Sequence, residues 1–156
     1  MPPRKKRITK KALFQKTIEI IQPILRLSDW KIMVVFSHSQ RMKETATCEA
    51  APEYKVAKIR LNSYEMPNLS HEEIVSTAIH EMLHCVLWEL GEWGYKLSRK
   101  DETKLELSRK YEEAAVTNLE KIFLPLLEET INAELKVHGY YGVDLTFTDF
   151  GVSTER

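Results

Sequence analysis

Ser70-His71-Glu72-Glu73-Ile74-Val75-Ser76-Thr77-Ala78-Ile79-His80-Glu81-Met82-Leu83-His84-Cys85-Val86-Leu87-Trp88-Glu89-Leu90-Gly91 is the stretch that decides how this chain is read. Ser70 followed by Glu73 fits a capping box, in which the hydroxyl accepts from a free backbone N–H and the carboxylate reaches back to the cap. Val75, Ile79, Met82, Leu83, Val86 and Leu90 form one apolar stripe, and Gly91 stands where a C-terminal cap is expected. Inside this helix lies His80-Glu81-Met82-Leu83-His84, an HExxH pentapeptide. Residues four apart lie about 40° apart and one turn up the same helix face, so two imidazoles there can converge on one metal ion. Glu81 points about 100° away from His80, beside the ligands, where it can hold and deprotonate a metal-bound water. Such a pentapeptide arises by chance in about 2% of shuffled chains of this composition, so its place in a capped amphipathic helix carries the argument.

Upstream, residues 11–27 carry apolar residues at helical spacing, with Pro23 marking a kink or an early end. Trp30–Phe36 is rich in β-branched and aromatic residues and reads as a strand, as does a weaker run around Thr45–Ala51 that Pro52 ends. Val56–Leu61 alternates apolar and basic residues, predicting a strand with one wet face. Downstream, a loop holding Trp93, Gly94 and Tyr95 is expected. A long helix then runs from about Lys100 to Leu124, kinks at Pro125 and continues toward Val137. The tail, Gly139–Arg156, has aromatics at Tyr140, Tyr141, Phe147 and Phe150 and is ambiguous in secondary structure. The expected fold is α+β, a small three-stranded sheet packed with an N-terminal helix, the HExxH helix and a long C-terminal helix.

Composition sets the frame for this core. The chain has 156 residues, 43% hydrophobic and 29% charged, which suits one soluble domain. Its net charge of zero conceals an asymmetry. Residues 1–11 hold six basic groups and no acidic ones, leaving 17 basic against 23 acidic groups in 12–156. A wholly basic nucleic-acid-binding domain is excluded, whereas a disordered basic tail (1–11) on a single domain (12–156) is not. No apolar run is long enough to span a bilayer, and no signal-type stretch follows the basic N-terminus, so a cytoplasmic protein is expected. Two cysteines, Cys48 and Cys85, are too few for a disulfide scaffold and read as reduced thiols, Cys85 turned away from the metal face.

Two histidines hold a metal loosely, so a third ligand is required. His71 lies more than two turns below His80, and Leu87 and Leu90 break an HExxHxxGxxH pattern. A carboxylate from the later helix is the alternative, and Glu112 and Glu113 are adjacent candidates followed by small residues that would let two helices approach closely. Glu112 shares a face with Val116, Leu119 and Phe123; Glu113 has Thr117 one turn on, able to support a ligand by hydrogen bonding. Glu113 is preferred and Glu112 stays open. A group that polarises the substrate would come from Tyr111, His138, Tyr140 or Tyr141, among which the sequence does not choose.

The order of helix, Leu27-Ser28-Asp29-Trp30, two strands, Lys58-Ile59-Arg60-Leu61, the HEMLH helix and Glu112-Glu113-Ala114-Ala115-Val116 resembles the small gluzincin-type zinc metallopeptidases. These include SprT-like domains and the short metallopeptidase-like proteins often carried by phages and prophages. The resemblance covers about residues 12–126. It implies His80, His84 and Glu113 as ligands of Zn²⁺ and Glu81 as general base. It also implies an edge strand, here 56–61, that pairs with an extended protein or peptide substrate. Thr117 stands where the family places an Asp four residues after the third ligand. The functional expectation is zinc-dependent peptide-bond hydrolysis. The rival expectation is a non-catalytic, zinc-stabilised binding module attached to nucleic acid through residues 4–11.

Overall fold

The computed structural model describes residues 6–147. Among them lie three long helices, α1 (Lys10–Ile24), α2 (His71–Ser98) and α3 (Glu102–Val137). The strands are β1 (Lys6–Arg7), β2 (Lys31–Ser37), β3 (Ala46–Ala51), β4 (Val56–Asn62) and β5 (Tyr140–Tyr141). The architecture is α+β with a mixed three-stranded sheet, as the residue pattern predicts. Of the basic segment 1–11, residues 6–11 belong to the fold. β1 pairs in parallel with β5, Ile8 is buried, and Thr9 caps α1 by accepting from the Ala12 N–H. Lys10 donates to the Pro67 carbonyl (2.8 Å) and Lys11 sits over the Phe36 ring.

The sheet order is β2-β4-β3, with β4 parallel to β2 and antiparallel to β3. β4 is therefore the central strand, which corrects the expectation that 56–61 forms the free edge. Alternation of Ala57, Ile59 and Leu61 with Lys58 and Arg60 shows which face of a strand is wet; it says nothing about whether the strand's edge is paired. The edge beside the site is β3. Ala57, Ile59 and Leu61 are fully buried, and Phe14 of α1 meets Phe36 of β2 edge-on at 6.3 Å between ring centroids.

α2 is the hub, packing against α1, β3 and α3. Its capping box forms as expected, with Ser70 Oγ accepting from Glu73 N–H (3.1 Å) and the Glu73 carboxylate from Ser70 N–H (2.6 Å). Ile74, Val75, Ala78, Ile79, Met82 and Leu83 are buried, but Val86 and Leu90 are exposed, so the apolar stripe leaves the core after the second histidine. The helix does not end at Gly91. It continues to Ser98 and takes in the residues expected to form a loop. Gly91 and Gly94 serve a different purpose from capping. A Cβ at Gly91 would lie 2.7 Å from Glu112 Oε2, and one at Gly94 would overlap Ser108 Oγ. The bare backbone at these two positions leaves room against α2 for the Glu112 carboxylate and the Ser108 hydroxyl of α3.

α3 runs through Pro125 to Val137 as one helix, and the tail packs back on it. Asn132 clamps Leu145, its amide donating to the Leu145 carbonyl (2.9 Å) and its carbonyl accepting from the Leu145 N–H (3.0 Å). Leu145 and Phe147 are buried in the core, while Phe150 lies outside the described residues. No helix among the described residues is long and apolar enough to cross a membrane.

Candidate metal centre

α2 presents His80 and His84 one turn apart, with ring centroids 5.1 Å from each other. α3 crosses them. Glu113 brings one carboxylate oxygen to 3.5 Å from His80 Nε2 and the other to 3.4 Å from His84 Nε2. One nitrogen from each ring and one Glu113 oxygen all lie within 4.8 Å of each other, a group that could hold a metal ion. Glu112 is not in that group; its Oε1 lies 3.2 Å from the opposite nitrogen of His84, Nδ1. The two carboxylates that the sequence left as rivals thus occupy different positions around one imidazole.

His80 is held in the same manner by a residue that sequence reasoning missed. Its Nδ1 lies 3.0 Å from Glu120 Oε2, and the other Glu120 oxygen accepts a hydrogen bond from Ser76 Oγ. In each neutral ring, a proton on Nδ1 donated to a carboxylate leaves the Nε2 lone pair facing Glu113. Glu120 was findable: it stands seven residues after Glu113, two turns along the same helix face, as Ser76 stands four before His80. It is Glu120 that supports a histidine here, and Thr117 does not line the cleft.

Electrostatics follow from this crowding of acids. The hydrogen bond that the His80 ring donates to Glu120 holds the imidazole above its ordinary pKa, against the opposing effect of burial. Glu81 is only 5% exposed, and burial pushes its carboxyl up to about 7, with the charges of Glu113 and Glu120 adding to the rise and His80 opposing it. A carboxyl near neutrality exchanges a proton readily at physiological pH.

A cleft of about 600 Å³ opens over these groups, bordered by Glu44–Cys48 on the β3 side and by Ser76, Thr77, His80, Glu81 and His84 on α2. Tyr111, His138, Tyr140 and Tyr141 do not line it. Tyr111 is exposed on α3, His138 pairs with Glu134, and the other two form β5. At the cleft edge Cys48 Sγ lies 3.4 Å from Cys85 Sγ, and both cysteines are free. That contact and burial raise the Cys48 pKa, keeping it a thiol. Cys85 is buried, as its direction on the helix predicts. No protein-family model matches the chain, and no curated protein or solved structure matches it either.

Proposed function

We propose that this protein is a zinc-dependent peptidase that cleaves protein or peptide chains. The observation that supports the reading is the convergence of both Glu113 oxygens on the Nε2 atoms of His80 and His84, with Glu81 buried beside them. Two imidazole nitrogens and one carboxylate are a donor set that suits zinc and leaves a coordination position for water. Bound there, the ion would polarise a peptide carbonyl and make a water acidic enough to lose a proton near neutral pH.

The protein's own groups supply the rest. Glu112 and Glu120 fix the two rings so that neither has to be reoriented when the site fills. Glu81 takes the proton of the attacking water and returns it to the leaving amine, a double task suited to a carboxyl held at about 7. Extended substrate would lie along β3, which borders the cleft and is hydrogen-bonded to β4 on one side only among the described strands.

The test pairs metal analysis with hydrolysis. Full-length protein and Glu81→Gln should bind equal amounts of zinc, and only the former should cleave unfolded β-casein. Equal cleavage by both would exclude the mechanism, and failure of either to retain zinc would exclude the centre.

A further inference from the structure

The continuation of α2 past Gly91 builds a second cavity of about 410 Å³ beside the cleft, the two sharing Cys48, His84 and Glu112. His84, Trp88, Gly91 and Tyr95 are spaced four, three and four apart, so one face of the helix forms the wall. Cys48 and Ala50, two apart on β3, face it from the sheet. A chain lying along β3 would pass from the polar cleft into this cavity without leaving the strand.

The wall's chemistry restricts what fits. Its two carboxylates each have a partner through one oxygen, Glu92 with Lys96 at 2.7 Å and Glu112 with His84 at 3.2 Å. What remains is the thiol of Cys48, the methyl of Ala50, the rings of Trp88 and Tyr95, and the bare backbone of Gly91. An aromatic or branched aliphatic side chain would exchange water for ring faces and methyl groups, a gain of the kind that drives apolar burial.

We infer that this cavity is the binding site for one large apolar side chain, aromatic or branched aliphatic, of an extended peptide seated on β3. The inference rests on the peptidase reading for what is done to the peptide, and on the cavity for what is bound. Occupation should favour such a residue over glycine on the order of 10- to 100-fold in kcat/KM.

Zinc-loaded full-length protein is incubated with unfolded β-casein and the cut positions are mapped by mass spectrometry. Phe, Tyr, Trp, Leu, Ile or Met should recur at one fixed position relative to the cut. Ala50→Leu, which narrows the cavity, should shift that position toward small residues with zinc content unchanged. Tyr95→Ala, at the exposed rim, should weaken the preference without touching the fold. Cuts without such a preference, a preference for Lys or Arg, or a preference unmoved by both variants would overturn the inference. If the wild type cuts nothing, hydrolysis is the reading that fails, and the cavity is tested by binding. N-acetyl-phenylalaninamide should shift the Trp88 indole N–H resonance, N-acetyl-glycinamide should not, and Ala50→Leu should abolish the shift. No shift with the phenylalanine compound would sink the cavity's role as well.

Discussion

Glu112 and Glu113, neighbours on α3, approach opposite nitrogens of the same imidazole: Glu112 Oε1 lies 3.2 Å from His84 Nδ1 and Glu113 Oε1 lies 3.4 Å from His84 Nε2. Adjacent residues on a helix diverge by about 100°, and that divergence lets one carboxylate stand among the metal-facing atoms while the other stands behind the ring. Their removal should therefore differ in size. Glu113→Ala takes away a donor and should reduce zinc affinity beyond detection in an equilibrium competition with a chelator. Glu112→Ala should weaken it by about 10- to 100-fold, the usual cost of losing an orienting partner. Equal losses would contradict this division of roles.

The raised pKa of Glu81 carries a stability consequence for the metal-free protein. In the folded chain the carboxyl keeps its proton up to about pH 7, while its ordinary value is 4.5. Between those values the folded state binds more protons than the unfolded one, so stability falls as pH rises from 4.5 to 7 and then levels off. The penalty is on the order of 3 kcal/mol at most. Glu81→Gln removes it. In chelator, the variant should unfold at higher urea than wild type at pH 8, with the gap closing toward pH 4.5. A gap independent of pH would mean that Glu81 ionises in the folded protein as it does in water.

How much of this was legible beforehand depended on the range of the interaction. The capping box and the two histidines are local, three and four residues apart, and helix geometry alone carries them from sequence to structure. The sheet order is a long-range property. Val56–Leu61 shows its wet face in its own alternation, but which strands flank it depends on residues 31–37 and 46–51. Gly91 misled because a glycine after an apolar stripe satisfies two different demands, a left-handed cap or a close helix crossing. Only the position of Glu112 on another helix separates them. Glu113 is preferred in the sequence, yet Glu112 stays open beside it for the same reason: core periodicity reports which face is buried, and both residues border the crossing.

His80 predicts proton release on metal binding. Its hydrogen bond to Glu120 holds the imidazole above 6.5, so at pH 7 a larger share of the metal-free protein carries the proton that zinc must displace. Affinity for zinc should fall as pH drops through this range. Calorimetric titrations at pH 7 in buffers of different ionisation enthalpy should show more protons released by wild type than by Glu120→Gln. Identical proton counts would show that Glu120 does not set the state of the ring. The same pairing gives the metal-free protein stability that is fully present below the ordinary histidine pKa and lost as pH rises through the raised one.

Gly91→Ala separates folding from metal binding in one substitution. Alanine is the better helix former by about 1 kcal/mol in a helix interior, and position 91 is interior to α2. The added Cβ would stand 2.7 Å from Glu112 Oε2 and 2.9 Å from its carboxyl carbon. Those atoms end a flexible side chain, so the carboxylate can swing aside without displacing α3. In swinging aside it abandons His84 Nδ1. The variant's metal-free thermal midpoint should therefore hold or rise, while its zinc affinity falls by about 10- to 100-fold, close to that of Glu112→Ala. Combining Gly91→Ala with Glu112→Ala should cost little more affinity than either alone, because both remove the same contact. Additive losses would mean that Gly91 acts on the site by another route, through the spacing of the two helices.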